Sequence, residues 1–188
     1  MYKRQVYSLV DVDCAALPSL IRPYTNIEVN NTEMPVDLVS VVDNIPDAET
    51  VVYNQVIFLP NQKRELAMLD KKKNRHASIP NPNNQMAVED IKRVQEVIVR
   101  ESKQLVYTHF NMVVAVSAGA DLQKCTNHLE NAFGRMGIHI SKRAYNQLEL
   151  FVGSFPGNCY GLSEEYDRFL TLSDAAMCLM YKERVLHS

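Results

Sequence analysis

Residues 110–116 read FNMVVAV, a short apolar run bounded by polar residues and then by Ser117, Ala118 and Gly119. Its length and its β-branched content are typical of a buried strand rather than of a helix. The other elements of the chain are predicted outward from this strand.

Helical spacing appears on both sides of the 110–116 strand. Apolar residues at positions 88, 91, 94, 98 and 105 recur every three or four residues or at multiples of that spacing, which predicts a helix over 88–105. After the strand, Asp121 is suited to an N-cap and Gly137 to the position after a C-cap, which predicts a helix over 121–136. With a short strand at 138–140, residues 88–140 are predicted to alternate helix, strand, helix and strand.

The first 60 residues favour strands. Residues 6–12, 36–42 and 51–59 are rich in β-branched or aromatic residues, and the last run ends at Pro60 and Asn61. Residues 74–85, NRHASIPNPNNQ, have the Asn and Pro density of a loop. We therefore predict an α+β fold, a mainly antiparallel sheet with two or more amphipathic helices packed on it, among them the helices at 88–105 and 121–136. The predicted division is a mainly β part over 1–85 and an α/β part over 86–188, with one sheet or two left open.

The composition is that of an ordinary globular protein, with 46% apolar residues, 22% charged residues and a net charge of −2. The four cysteines, Cys14, Cys125, Cys159 and Cys178, show no metal-binding or disulfide spacing, which favours a reducing compartment. No apolar run approaches the roughly 20 residues of a membrane-spanning helix. A soluble, cytoplasmic chain is expected.

Charge is segregated in the first half of the chain. Residues 23–60 hold six acidic residues and no Lys or Arg, whereas a basic run follows at Lys71, Lys72, Lys73 and Arg75. The basic run has no interleaved aromatic residues of the kind that stack on single-stranded nucleic acid. We expect a solvated loop here, with two alternatives: docking to the acidic 23–60 surface of a neighbouring copy, or contact with phosphate groups.

No catalytic or nucleotide-binding motif is found. A P-loop needs a Gly followed by Lys in the form GxxxxGK[ST], and none of the six glycines is followed by Lys. The histidines lack HxxxH or HExxH spacing, and the pair Cys125 and His128 lacks further ligands nearby. Catalytic, cofactor and metal sites are therefore not expected in this chain.

The C-terminal third is organised around a turn. Phe155, Pro156, Gly157 and Asn158 fit a type II turn, in which Pro sets φ at the second position and Gly supplies a positive φ at the third. A helix is predicted before it over 145–151 and another after it over 174–185, with Ser173 as its cap.

These residues resemble a known family. A helix, a Phe-Pro-Gly-Asn turn, Arg168 and a Thr-x-Ser-x-Ala-Ala helix resemble the segment before the motor domain of type IV secretion ATPases, the fourth component of the VirB set. The wording is similar to the TraG proteins of conjugative transposons at residues 110–114, 145–151, 155–162 and 179–184. The resemblance is specific from about residue 86 to the end.

The resemblance implies a function for the parent protein. It implies a P-loop motor domain that binds ATP and Mg²⁺, further subunits of a conjugative transfer channel as partners, a homo-oligomer, and a cytoplasmic place at the inner membrane. This chain is then expected to be a non-catalytic module that positions its own motor domain at the channel, without direct contact to nucleic acid. The alternative is a stand-alone adaptor or nucleic-acid-binding module of a mobile element.

Both ends suggest a piece of a longer protein, since neither carries a turn or cap that would begin or close a domain. Residues 1–5, MYKRQ, also resemble translated adapter sequence, and the predictions from the sequence do not depend on them.

Overall fold

The computed structural model describes residues 2–9, 26–29, 32–35, 42, 44–79, 81–135, 138–143, 145–178 and 180. Within these ranges the chain forms seven strands and five α-helices. The strands are β1 (Tyr2–Leu9), β2 (Asn26–Val29), β3 (Thr32–Pro35), β4 (Ala48–Phe58), β5 (Leu105–Ser117), β6 (Ile140–Lys142) and β7 (Phe169–Leu172). The helices are α1 (Gln62–Ala77), α2 (Pro82–Glu101), α3 (Leu122–Arg135), α4 (Gln147–Gly153) and α5 (Ser173–Cys178).

The strand β5 is the centre of a five-stranded antiparallel sheet. It pairs with β4 along one edge and with β1 and β7 along the other, and β6 extends the sheet beyond β1. Ten of the thirteen residues of β5 are buried, because both faces of this strand are covered. The described residues therefore form the predicted α+β fold, and strands from both sides of the predicted division at residue 85 share one sheet.

The two faces of β5 pack against different helices. Phe110, Met112, Val114 and Val116 lie on the face covered by α3, whose Cys125, Leu129 and Phe133 complete this cluster. Val113 lies on the opposite face and packs with Val6, Leu150 of α4 and Leu162. The side chains of a strand alternate between its faces, so one apolar run supplies both clusters.

The helices α1 and α2 form a hairpin that packs chiefly on itself. Lys73 of α1 donates hydrogen bonds to Asp70 at 2.7 Å and to Gln95 of α2 at 2.9 Å. The start of α1 is fixed to the sheet by the Gln62 amide, which donates to the carbonyl of Leu105 and accepts from its N–H. The hairpin thus extends from the beginning of β5, and α2 packs on α1 rather than across the sheet as the sequence predicted.

Several sequence predictions are confirmed. The strands predicted at 51–59 and 110–116 correspond to β4 and β5, and the helices predicted at 121–136 and 145–151 correspond to α3 and α4. Asp121 accepts a hydrogen bond from the N–H of Gln123, as an N-cap side chain does. Residues 6–9 of the strand predicted at 6–12 lie in β1, which also includes Tyr2 to Gln5 and pairs with β5, and residues 10–12 lie outside the described residues.

The loop predicted over 74–85 is too long, because the two helices are joined between Ala77 and Pro82, and the loop predicted for the basic run is wrong. Lys71, Lys72, Lys73 and Arg75 lie in the helix α1, and α2 begins at Pro82. Two of the residues that suggested a loop are helix-start signals: Asn81 is the N-cap of α2, and its side chain accepts from the Asn84 N–H, while Pro82 occupies the first turn of α2.

Other boundaries also differ. The helix predicted at 88–105 ends at Glu101, because Ser102 is left-handed, with φ of 53°, and Leu105 begins β5. The strand predicted at 138–140 lies at Ile140–Lys142, and β7 was not predicted. Ser173 is the first residue of α5, and its hydroxyl accepts from the N–H of Gln104. The predicted strand at 36–42 lies outside the described residues except for Val42. The helix predicted at 174–185 corresponds to α5, which ends at Cys178, and residues 179 and 181–185 lie outside the described residues.

We predict that Phe110→Ala lowers the free energy of unfolding by about 3–5 kcal/mol, as large-to-small changes of buried aromatic residues do. Phe110 is fully buried and stacks between Tyr53 and Phe133. Tyr145→Ala, at a fully exposed ring, should change it by less than about 0.5 kcal/mol. Urea denaturation of the three proteins measures the difference, and equal losses for the two variants would contradict a core centred on β5.

Candidate docking surface

The helix α4 has one buried side and one exposed side. Leu150 and Gly153 are buried against the sheet, whereas Leu148 is 73% exposed and Val152 is also exposed. Positions three apart share a helix face, so 150 and 153 turn inward while 148, 151 and 152 turn outward or to the side. A helix with apolar residues on its outer side has more apolar surface than its own fold uses.

This exposed side continues beyond α4. Phe151 meets Phe155 edge to face, with ring centroids 5.2 Å apart, and Tyr145 is fully exposed before the helix. We call the set Tyr145, Leu148, Phe151, Val152 and Phe155 the α4 surface. Four of these side chains are exposed and Phe151 is half-buried against the sheet. Contiguous exposed apolar residues mark interaction sites in soluble proteins.

A groove of about 430 Å³ runs between the α4 surface and β1. Its lining combines Tyr145, Leu148 and Phe151 with Arg4 and Val6 of β1 and with Gln147. The Arg4 guanidinium lies 5.8 Å from the centroid of the Phe151 ring, and the Gln147 amide donates to the Arg4 carbonyl at 3.2 Å. The groove therefore offers an apolar floor with one cation at its side.

The predicted turn lies directly after α4. Asn158 N–H donates to the Phe155 carbonyl at 3.1 Å, and Gly157 has φ of 86°, as the third position of a type II turn requires. A Cβ at Gly157 would meet no atom within 4 Å, so only backbone strain opposes a side chain there. The turn directs the chain back under α4, where Leu162 is buried against Val6, Val113 and Leu150.

Buried polar residues of β5 hold α4 and the following loop in place. The Asn111 amide donates to the Leu150 carbonyl at 3.1 Å, and His109 Nδ1 lies 2.7 Å from the Asp167 carbonyl. Because a carbonyl oxygen only accepts, Nδ1 carries the proton of a neutral ring. Burial lowers the pKa of His109, since the charged imidazolium loses hydration at this site.

Asp167 closes the loop that returns from the turn. Its buried carboxylate accepts from the Ser163 N–H at 3.0 Å and from the Asn146 amide at 3.3 Å, and Arg143 lies 4.0 Å away. Asn146 is the residue before α4, so one carboxylate joins the start of the helix to the end of the loop. Next to it, the Arg168 guanidinium stacks on Phe58, 4.0 Å from the ring centroid.

The second predicted site lies elsewhere, on α1. Lys71, Lys72 and Arg75 border a groove next to Leu170 of β7, whereas Lys73 turns toward α2 through its bonds to Asp70 and Gln95. The structure therefore does not keep the four cations of the basic run together as one site.

Within the described residues, no group of three or more His, Cys, Asp or Glu side chains is arranged to hold a metal ion. Over the same ranges, every helix falls short of the length and apolar character needed to cross a bilayer.

Comparison with known protein families and with curated proteins gives no match for this chain. The interpretation of the α4 surface therefore rests on its geometry and on the resemblance described from the sequence.

Sequence reasoning located the turn but not the α4 surface or the polar residues beneath it. The run LELFVG could have indicated this surface. It has apolar residues on opposite sides of one short helix, which is more than a single contact with the core requires. No sequence signal indicated that Asn111 meets Leu150 or that His109 meets Asp167, because these contacts join residues 39 and 58 positions apart.

We predict that Gly157→Ala lowers the free energy of unfolding by about 1 kcal/mol and that Gly157→Val lowers it more, because a Cβ at positive φ is strained and a β-branched one most of all. Gly161→Ala is the matched control, since its φ is not positive and the space beside it is open. Urea denaturation should show little change for the control. An unchanged free energy of unfolding in both Gly157 variants would contradict the prediction, because it would mean that the positive φ at this position does not strain a side chain.

We predict that stability falls as the pH drops below about 6.5, the ordinary pKa of His. The folded state keeps His109 neutral because burial lowers its pKa, whereas the unfolded chain binds the proton, so acid favours unfolding. His109→Gln keeps a donor for the Asp167 carbonyl and should remove this part of the pH dependence. Urea midpoints at pH 7.5 and about pH 5.5 compare the two proteins, and parallel pH profiles would contradict the assignment.

Proposed function

We propose that this chain is a non-catalytic module of a conjugative transfer ATPase of the TraG type, and that the α4 surface docks the motor domain of the same protein. The observation that carries the proposal is the exposed apolar side of α4 and its turn. The same residues, 145–151 and 155–162, carry the sequence resemblance. A surface built for contact thus coincides with the segment that precedes the motor in the family it resembles.

The geometry supports a positioning role. Asn111, His109 and Asp167 fix α4 and the loop after the turn to the sheet through buried hydrogen bonds. A buried polar group that loses its partner costs about 1–3 kcal/mol, so these bonds favour one orientation of the surface. A rigid surface transmits direction from one domain to the next, which is what an assembly module needs.

On this proposal, ATP hydrolysis takes place in another part of the parent protein. The glycines of this chain lack a following Lys, so ATP and Mg²⁺ would bind in the motor domain. The parent would act as an oligomer with subunits of a transfer channel, on the cytoplasmic side and peripheral to the inner membrane through those partners.

One observation favours a second candidate function, an adaptor or nucleic-acid-binding module. Lys71, Lys72 and Arg75 lie together on one side of α1, which is the arrangement a phosphate backbone contacts. The buried carboxylate of Glu65 borders the same groove and opposes a polyanion. We therefore favour the docking function.

We predict that Leu148→Asp together with Val152→Asp leaves this chain folded but disables DNA transfer by a full-length protein that carries it. Both side chains are exposed, so the free energy of unfolding should change by less than about 0.5 kcal/mol for each. A central apolar contact is worth about 2 kcal/mol or more, so docking should weaken roughly thirtyfold.

The measurement is mating frequency beside ATP hydrolysis and protein abundance, with Tyr166→Asp as the control at an exposed aromatic residue away from α4. Transfer should fall only in the α4 variant while abundance and basal hydrolysis persist. Normal transfer, or an equal fall in the control, would contradict docking through the α4 surface.

A further inference from the structure

A further pocket lies where the start of α1 meets the end of β4 and the beginning of β5, separate from the groove beside α4. It has a volume of about 390 Å³, which is within the range of small-molecule sites. Its lining combines the apolar side chains of Leu59 and Met68 with the polar ones of Arg64, Glu65 and Tyr107. We call this depression the α1 pocket.

Hydrogen bonds between α1 and β5 hold the α1 pocket in shape. The Gln62 amide exchanges two hydrogen bonds with the backbone of Leu105, at 2.8 and 2.9 Å. The Tyr107 hydroxyl donates to Glu65 Oε2 at 3.0 Å. Burial and this hydrogen bond raise the pKa of Tyr107, so its hydroxyl keeps the proton that it donates. The pocket is therefore formed before a ligand enters it, which is the common case for small-molecule sites.

Glu65 is a buried carboxylate with an incomplete set of partners. The residue is 5% exposed, and among the residues that the structure describes its side chain has one partner, the Tyr107 hydroxyl. An ionised carboxylate can accept about four hydrogen bonds, and buried charges in proteins are paired with an opposite charge. Glu65 therefore lacks the cation that a buried carboxylate requires, and it lines the α1 pocket.

The other charged residues of the α1 pocket are one ion pair and one single cation. Arg168 contacts Glu164 at 3.0 Å and stacks on the Phe58 ring, 4.0 Å from its centroid. The Arg64 side chain is exposed and forms no ion pair or hydrogen bond within the described part of the chain. Arg64 and Glu65 both line the pocket although they are neighbours in the helix. The pocket thus contains one unpaired carboxylate and one unpaired guanidinium beside apolar side chains.

We propose that the α1 pocket binds a free amino acid with an apolar side chain. The ammonium group of the ligand donates to Glu65, and its carboxylate pairs with Arg64. Its side chain covers Leu59 and Met68, which are otherwise exposed. A zwitterion supplies both missing charges, whereas a simple cation is repelled by Arg64 and a simple anion by Glu65. This binding is independent of the α4 surface.

Ligand analogues test the contribution of each charge. The probes are L-leucine and the larger L-phenylalanine, which carry both charges on an apolar body. Isoamylamine is leucine without its carboxylate, and isocaproate is leucine without its ammonium group. Isothermal titration calorimetry with the full chain should show that leucine binds about tenfold or more tightly than either analogue, because each analogue loses one charge-assisted contact.

Two substitutions assign the two contacts to their residues. Glu65→Gln keeps an acceptor for the Tyr107 hydroxyl and removes the charge, so leucine should bind about tenfold more weakly while isocaproate does not. Arg64→Gln should weaken leucine similarly but not isoamylamine.

The control variants are Glu96→Gln and Lys63→Gln. They make the same charge changes at exposed residues that do not line the α1 pocket, and they should bind leucine like the unaltered chain. Circular dichroism confirms that each variant is folded. The comparison of leucine with its analogues uses the unaltered chain, so it tests the proposal even where a variant does not fold.

Three results would overturn the proposal. The first is the absence of saturable binding of both L-leucine and L-phenylalanine at millimolar concentrations. The second is an analogue that binds as tightly as leucine, and tight binding of isoamylamine in particular would make the pocket a site for a simple cation, such as a Lys side chain of a partner protein. The third is a folded Glu65→Gln variant that binds leucine like the unaltered chain.

Discussion

The burial of β5 on both faces is the constraint on which the rest of this structure depends. Phe110, Met112, Val114 and Val116 pack with α3, while Val113 packs with Leu150 of α4. Three strands pair with β5, so the burial of its two apolar faces also holds these neighbouring strands in the sheet. The inner side of α4 packs on this strand through Leu150, and the opposite side of the helix is exposed.

Two polar residues in this apolar strand determine how α4 is held. Asn111 and His109 point to the same face as Val113, and their partners are single backbone carbonyls, at Leu150 and Asp167. Apolar residues at these two positions would bury a similar area, but apolar contacts are not directional. A hydrogen bond to a buried carbonyl restricts both distance and angle, so it favours one orientation of α4. The orientation of the α4 surface, and with it the proposed docking, follows from these bonds.

The sequence predicted those elements whose signals are local. The apolar run at 110–116 was sufficient to predict β5, and the N-cap signal at Asp121 was sufficient to predict where α3 begins. The same local logic failed at 74–85, because Asn81 and Pro82 mark a loop and a helix start equally well. The strand β7 has only four residues and depends on pairing with β5, and the α4 surface requires the tertiary position of Phe151 beside Arg4, which no local pattern contains.

The exposed apolar side of α4 is the surface through which we propose that this chain docks a domain of the same protein. The central claim of this proposal is that the chain is the module before a motor domain. The most direct measurement is to sequence the gene past the codon for Ser188 in its native genomic context. The account predicts an open frame that encodes GxxxxGK[ST] after a short spacer, and a stop codon directly after Ser188 would contradict it.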